Sequence, residues 1–172
     1  MQSNRLVSVA NLTSQVDTLE ELYLAHNGIN DEGASESTGL ALPFSQLAIL
    51  DMSRNLLTSA KPFQHLAALS DLWLSGNRIE SFDAVEPLSQ LTELDGLYLE
   101  YNPVANDFEY RKKLKEMVPS LTQIDATLIR GLAGHGLPSA PPAQTMEAQM
   151  RRLQQLAVER ARTETEQQNQ KD

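Results

Sequence analysis

Residues 69–79 read Leu-Ser-Asp-Leu-Trp-Leu-Ser-Gly-Asn-Arg-Ile, and the pattern recurs along the chain. Leu19-Glu-Glu-Leu-Tyr-Leu-Ala-His-Asn-Gly-Ile29 matches it at every fixed position. Leu47-Ala-Ile-Leu-Asp-Met-Ser-Arg-Asn-Leu-Leu57 and Leu94-Asp-Gly-Leu-Tyr-Leu-Glu-Tyr-Asn-Pro-Val104 match with conservative changes. Within each copy two apolar residues alternate with outward-facing ones, which is strand periodicity. The Asn that follows carries donors and an acceptor on a short side chain, suited to satisfying backbone groups where the strand ends. Beyond the Asn the apolar period becomes three. Leu57, Ala60, Phe63, Leu66, Leu69 and Leu72 form one such series, and Ile79, Phe82, Val85, Leu88, Leu91, Leu94 and Leu97 form another. A period of three predicts 3₁₀-like or tight helical turns.

Amphipathic helices with chance leucines would not align Asn27, Asn55, Asn77 and Asn102 in one column. The pattern is the leucine-rich-repeat signature. It predicts an α/β solenoid with a short parallel sheet on the concave side, 3₁₀ or helical turns on the convex side, and a helical cap at the C-terminal end. One repeat cannot bury its own apolar face, so stability depends on stacking.

The repeats are expected over 1–104. Met1 precedes Asn4 by three residues, as Leu74 precedes Asn77, so the chain is expected to open inside an incomplete, N-terminally truncated repeat. Successive Asn residues are 23, 28, 22 and 25 positions apart, counting from Asn4. The long step holds the polar stretch 31–39, expected as an inserted surface loop. A cap is expected over 105–130. In it Asp107 would cap a helix through residues 110–117 that stops before Pro119, with the basic run Arg111, Lys112, Lys113 and Lys115 as a solvated face. Residues 131–144 are rich in Gly, Pro and Ala and read as a linker. Residues 145–172 read as a marginal helix or a disordered tail.

Charge is unevenly distributed. Residues 1–109 hold four Lys and Arg against sixteen Asp and Glu. A phosphate-backbone binder needs a basic face, so direct nucleic-acid binding is not expected, whereas a basic protein surface would be attracted. No stretch is long and apolar enough to cross a membrane as a helix. The chain has no cysteine, which excludes disulfides and a thiol nucleophile. His26, His65 and His135 lack metal-ligand spacing, and neither a nucleophile elbow nor a phosphate-binding glycine loop is present. No enzyme, metal or cofactor is implied.

Function should therefore lie on the concave sheet. The column four residues before each Asn reads Tyr23, Asp51, Trp73 and Tyr98, and the column six before reads Glu21, Ile49, Asp71 and Gly96. Strands tolerate aromatics widely, but Trp73 among tyrosines and carboxylates resembles a protein-binding hot spot. Glu21, Tyr23, Asp51, Asp71, Trp73 and Tyr98 are the expected partner-binding residues.

Several segments sharpen this expectation: Met1-Gln-Ser-Asn-Arg-Leu6, Glu21-Leu-Tyr-Leu24 with His26-Asn-Gly-Ile29, Tyr98-Leu-Glu-Tyr-Asn-Pro103, Tyr110-Arg111, Pro119-Ser120 and Gln123-Ile-Asp-Ala-Thr127. Over residues 1–130 they resemble the C-terminal part of the leucine-rich-repeat regulatory subunits of protein phosphatase 1, of the regulatory subunit 7 type. The resemblance implies a non-catalytic subunit whose concave face grips the phosphatase catalytic subunit and controls its maturation, location and activity. It implies a nuclear, mitotic setting, with a cytoplasmic one beside it. It places Asp51 on an acidic contact, Trp73 on an aromatic one and Tyr98 on a tyrosine one, with Asp71 replacing a glutamate. The alternative resemblance is to a capped leucine-rich-repeat scaffold of a spliceosomal ribonucleoprotein or of the cytoskeleton, which shares the Asn-Pro and Tyr-Arg elements of the cap but not the Gln-Ile-Asp-Ala-Thr ending.

Overall fold

A computed structural model describes residues 2–9, 12–34 and 44–129. Four three-residue strands, β1 (Glu21–Tyr23), β2 (Ile49–Asp51), β3 (Asp71–Trp73) and β4 (Gly96–Tyr98), pair in parallel and in sequence order. Their register is that of the repeat: Leu22, Leu50, Leu72 and Leu97 are aligned partners. Strand β5 (Gln123–Ile124) continues the parallel sheet, and β6 (Thr127–Leu128) folds back antiparallel on β5. Among the described residues the sheet thus has six strands in the order β1 to β6. The opposite side carries 3₁₀ turns at Thr13–Gln15, Lys61–Phe63, Glu86–Gln90 and Pro103–Asn106.

The convex series is buried as its period predicts: Leu57, Ala60, Phe63, Leu66 and Leu69 are fully enclosed, as are Ile79, Val85, Leu88 and Leu94. Phe82 is only partly buried. Its ring faces the Lys113 ammonium, 5.1 Å from the centroid, a cation–π contact that covers the outer side of the ring.

The Asn column locks neighbouring repeats together. The Asn77 side-chain oxygen accepts the Leu57 N–H at 3.1 Å, while its amide donates to the Leu74 carbonyl of its own repeat and the Met52 carbonyl of the repeat before. Asn55 accepts from Ile29 and donates to Leu24 and Met52. Asn102 accepts from Ile79 and donates to Leu74 and Leu99. These three side chains are buried, so each bond is made where water cannot substitute. At the last repeat a carboxylate takes over: buried Asp125 accepts the Leu99 and Glu100 N–H groups, each at 3.0 Å.

The residue before each Asn is left-handed. Ser3, His26, Arg54, Gly76 and Tyr101 have φ of 55, 60, 53, 68 and 61°. The conformation lets the N–H of one repeat reach the next: His26 to the Ser53 carbonyl, Arg54 to Ser75, Gly76 to Glu100. Only Gly76 adopts it freely; each of the others stores strain on the order of 1 kcal/mol.

Three expectations change. Residues 31–34 are not surface loop but a helical turn, α1 (Asp31–Ala34), with Gly33 and Ala34 buried. Asp31 faces the next repeat and accepts from the Thr58 and Ser59 N–H groups and the Thr58 hydroxyl. Gly33 is required there, because a Cβ would collide with the Val7 carbonyl oxygen. The rest of that insertion, 35–39, lies outside the described residues, as do the expected linker at 131–144 and the tail at 145–172.

In the cap, helix α2 (Tyr110–Met117) begins after Glu109, which has no side-chain capping bond. Asp107 is therefore not its N-cap. Asp107 accepts the Glu109 N–H at 2.7 Å and the Lys113 ammonium at 2.8 Å. The Lys113 bond, then the Glu109 N–H, hold its carboxyl below the usual range. Nor is the basic run simply solvated. Arg111 pairs with Asp125 at 3.3 Å, and Lys115 donates to the Pro119 and Leu121 carbonyls. The run pins the helix onto the end of the solenoid.

Asn77→Ala should lower unfolding stability by about 3 kcal/mol, since one buried donor and two buried carbonyls lose a partner. Asn77→Asp should do no better at neutral pH, because it offers oxygen to two carbonyls. Denaturant melts of the three proteins check both.

Candidate protein interaction surface

The register of β1 to β4 places Tyr23, Asp51, Trp73 and Tyr98 side by side on the concave face. The three aromatics form a continuous row. Tyr23 meets Trp73 edge-on with ring centroids 6.3 Å apart, and Trp73 meets Tyr98 edge-on at 5.6 Å. Such pairs hold each ring in place. Tyr23 and Trp73 stand on strands two apart, with the Asp51 strand between them.

Asp51 therefore departs from the expectation of an outward carboxylate. It is only 4% exposed. Its Oδ1 accepts the Ser53 N–H at 2.9 Å, and its Oδ2 accepts the Gln2 side-chain amide at 3.3 Å. It belongs to the column, but as the floor between two rings. Alternation alone could not show this, because it depends on which way neighbouring aromatics lean.

The other predicted residues are accessible. Glu21 is exposed, while Tyr23, Asp71, Trp73 and Tyr98 are partly buried. Glu21 accepts the Tyr23 hydroxyl at 3.0 Å. Asp71 lies over β4, where Gly96 leaves the room: a Cβ at that position would run into the Asp71 carboxylate. Its Oδ2 accepts the Ser70 hydroxyl at 3.1 Å. Sequence reasoning missed Gln123, which pairs with Gly96 across the sheet and donates its amide to the Tyr98 hydroxyl. The signal was present in the Gln-Ile-Asp ending, which extends the column that holds Glu21 and Asp71.

The electrostatics are those of an anionic, partly desolvated face. Burial, then the hydrogen bond to Glu21 and the charges of Glu21, Asp51 and Asp71, push the Tyr23 phenol up to about 12. Burial raises Tyr98 too, with the charges of Asp71 and Asp125 adding to it. Burial lifts Asp71 above the ordinary carboxylate value and Asp95 adds to it, against the Ser70 hydrogen bond. The Trp73 indole N–H is buried without a hydrogen-bond partner among the described residues. Among those residues no group of carboxylates, histidines or cysteines could hold a metal ion, and no helix is long and apolar enough to cross a membrane.

Comparison with solved structures decides the architecture. A chain of the Drosophila melanogaster SNF/U2A′ complex superposes with a TM-score of 0.62 at 22% identity, over 76% of this chain and 72% of that one. The fold is a leucine-rich-repeat solenoid. No family model matches the chain. Among curated relatives, the uncharacterized protein F09G8.5 of Caenorhabditis elegans is 32% identical over 112 residues, 64% of this chain and 23% of that protein. The protein phosphatase 1 regulatory subunit SDS22 of Schizosaccharomyces pombe is 43% identical over 67 residues, 37% of this solenoid chain and 20% of that subunit. This solenoid therefore spans less than a quarter of the length of either relative.

The phenol shift sets an alkaline limit. A phenol raised in the folded state keeps its contribution to stability up to its unfolded value near 10, then loses it as pH climbs toward about 12. Tyr23→Phe should flatten the decline in stability over that window. Absorbance titration of phenolate should lose its component near pH 12. Loss of a component near pH 10 instead would show that Tyr23 is solvated.

Proposed function

We propose that this chain is a non-catalytic protein-binding module whose concave face docks the catalytic subunit of protein phosphatase 1. The observation that carries the binding reading is the fixed row Tyr23–Trp73–Tyr98 standing among Glu21, Asp51 and Asp71. Rigid aromatics lose little freedom on docking and present both apolar area and hydrogen-bonding groups. The surrounding carboxylates favour a partner with a basic patch and speed its encounter.

The choice of partner rests on relatives. The SDS22 subunit of Schizosaccharomyces pombe and the phosphatase 1 regulatory subunit 7 of Xenopus tropicalis are 43% and 42% identical over their matched segments. Other relatives, at 40% and 33% identity, carry names that mention no phosphatase, and a direct binding assay decides the partner. Location in the nucleus belongs to the same proposal.

Titration of the purified chain with the phosphatase catalytic subunit tests it. Trp73→Ala should weaken binding by about 2 kcal/mol, close to thirtyfold, in a chain that still melts cooperatively. Wild-type affinity in that variant would remove the concave face from the interface. A folded wild-type chain that does not bind would overturn the choice of partner.

Asp71→Asn distinguishes binding from folding. Because the fold holds the Asp71 carboxyl above its ordinary value, the charged form opposes folding at neutral pH, and its neutral isostere should melt no lower than the wild type. The same substitution should weaken the partner. A lower melting temperature would show that the Asp71 charge serves the fold.

A further inference from the structure

The left-handed column is also a surface. His26, Arg54, Gly76 and Tyr101 occupy the same place in successive repeats, one residue before the Asn, at the edge of the concave face. Glycine fits this backbone best, and Gly76 shows that the fold accepts it. At the neighbouring repeats the chain instead carries an imidazole, a guanidinium and a phenol, each held in strain. Packing does not explain them. Tyr101 is 80% exposed, and His26 and Arg54 are exposed as well.

Their arrangement is specific. Arg54 Nη1 lies 3.0 Å from His26 Nε2. A guanidinium can only donate, so the imidazole nitrogen accepts. The Arg54 stem runs across Gly76, its Cγ 3.2 Å from where a Cβ would stand. A larger residue there would push the guanidinium aside. Among the described residues Arg54 enters no ion pair, although Asp and Glu outnumber Lys and Arg four to one over residues 1–109. Arg54 is exposed and has donors beyond the one given to His26.

We infer that His26, Arg54 and Tyr101 form a second contact strip along the rim, which receives a carboxylate-bearing segment of the protein that docks on the concave face. The inference rests on the concave-face reading above. A guanidinium presents a planar fork of donors that fits a carboxylate, and an exposed tyrosine two repeats along, beyond Gly76, supplies rigid contact area. The strip reverses the charge of the adjoining face. A partner that is basic opposite Glu21 and Asp71 must turn acidic opposite Arg54, and that alternation fixes its register and direction along the sheet.

The test titrates the phosphatase catalytic subunit with wild type, Trp73→Ala, Arg54→Lys, Arg54→Glu and Tyr101→Gly, each shown to be folded by its melt. Tyr101→Gly removes strain at the left-handed position and so should not lower the melting temperature. Arg54→Glu should weaken binding about tenfold or more, mainly through slower association that depends on salt, with Arg54→Lys in between. Tyr101→Gly should weaken it several-fold. Wild-type affinity in both Arg54→Glu and Tyr101→Gly, with binding lost in Trp73→Ala, overturns the rim strip and leaves the concave reading standing. Absence of binding by the folded wild type overturns both together.

Discussion

A buried amide that must serve two repeats at once is the constraint on which the rest of the solenoid depends. Asn55, Asn77 and Asn102 each close a turn in their own repeat and take up backbone groups of the one before. Shifted by one position, every such side chain would leave buried donors and carbonyls unpaired, which costs more than most single contacts supply. The repeats are therefore held in strict register, and strands only three residues long suffice. Register in turn aligns side chains in columns, so residues 25 or so apart in sequence become neighbours on one face. The aromatic row follows from the Asn ladder as much as from the aromatics.

That dependence explains what could be read from the chain. Leu and Asn spacing set the strands, and the period of three set the convex turns, because each follows from one repeating geometric requirement. The cap helix and its stop before Pro119 were legible from local chemistry of the same kind. What escaped were features that depend on which side chains meet in space, most of them across repeats. The burial of Asp51 depends on two rings leaning across a strand. Asp31 looked like loop because its partners, Thr58 and Ser59, lie in the next repeat. Asp107 met the composition rule for a helix cap, but Lys113 and the Glu109 N–H claimed it. The left-handed column was within reach, since Gly76 occupies it, yet one glycine among five positions does not announce a backbone requirement that His26, Arg54 and Tyr101 also meet.

The core and the concave face differ in what they cost the fold. In the core, side chains and environment agree: apolar groups are enclosed and buried amides are satisfied. On the concave side they disagree in several places at once. An indole N–H lies buried without a partner at Trp73. A carboxyl is held above its ordinary value at Asp71. A carboxylate is roofed at Asp51. Local conflict within an otherwise consistent structure is what the proposed docking role of this face would entail.

Gly96 shows how far that surface is built into the backbone. It is the smallest residue in a column that elsewhere carries Glu21, Ile49 and Asp71, and it lies in a strand, where glycine weakens the pairing. Its gain is space, since the Asp71 carboxylate lies over the position a Cβ would fill. Any side chain there would displace the Asp71 carboxylate from its present place in the column. A strand glycine without a turn to make is thus accounted for by the carboxylate beside it, whereas Gly76 already suits its left-handed backbone and in addition leaves space against the Arg54 Cγ.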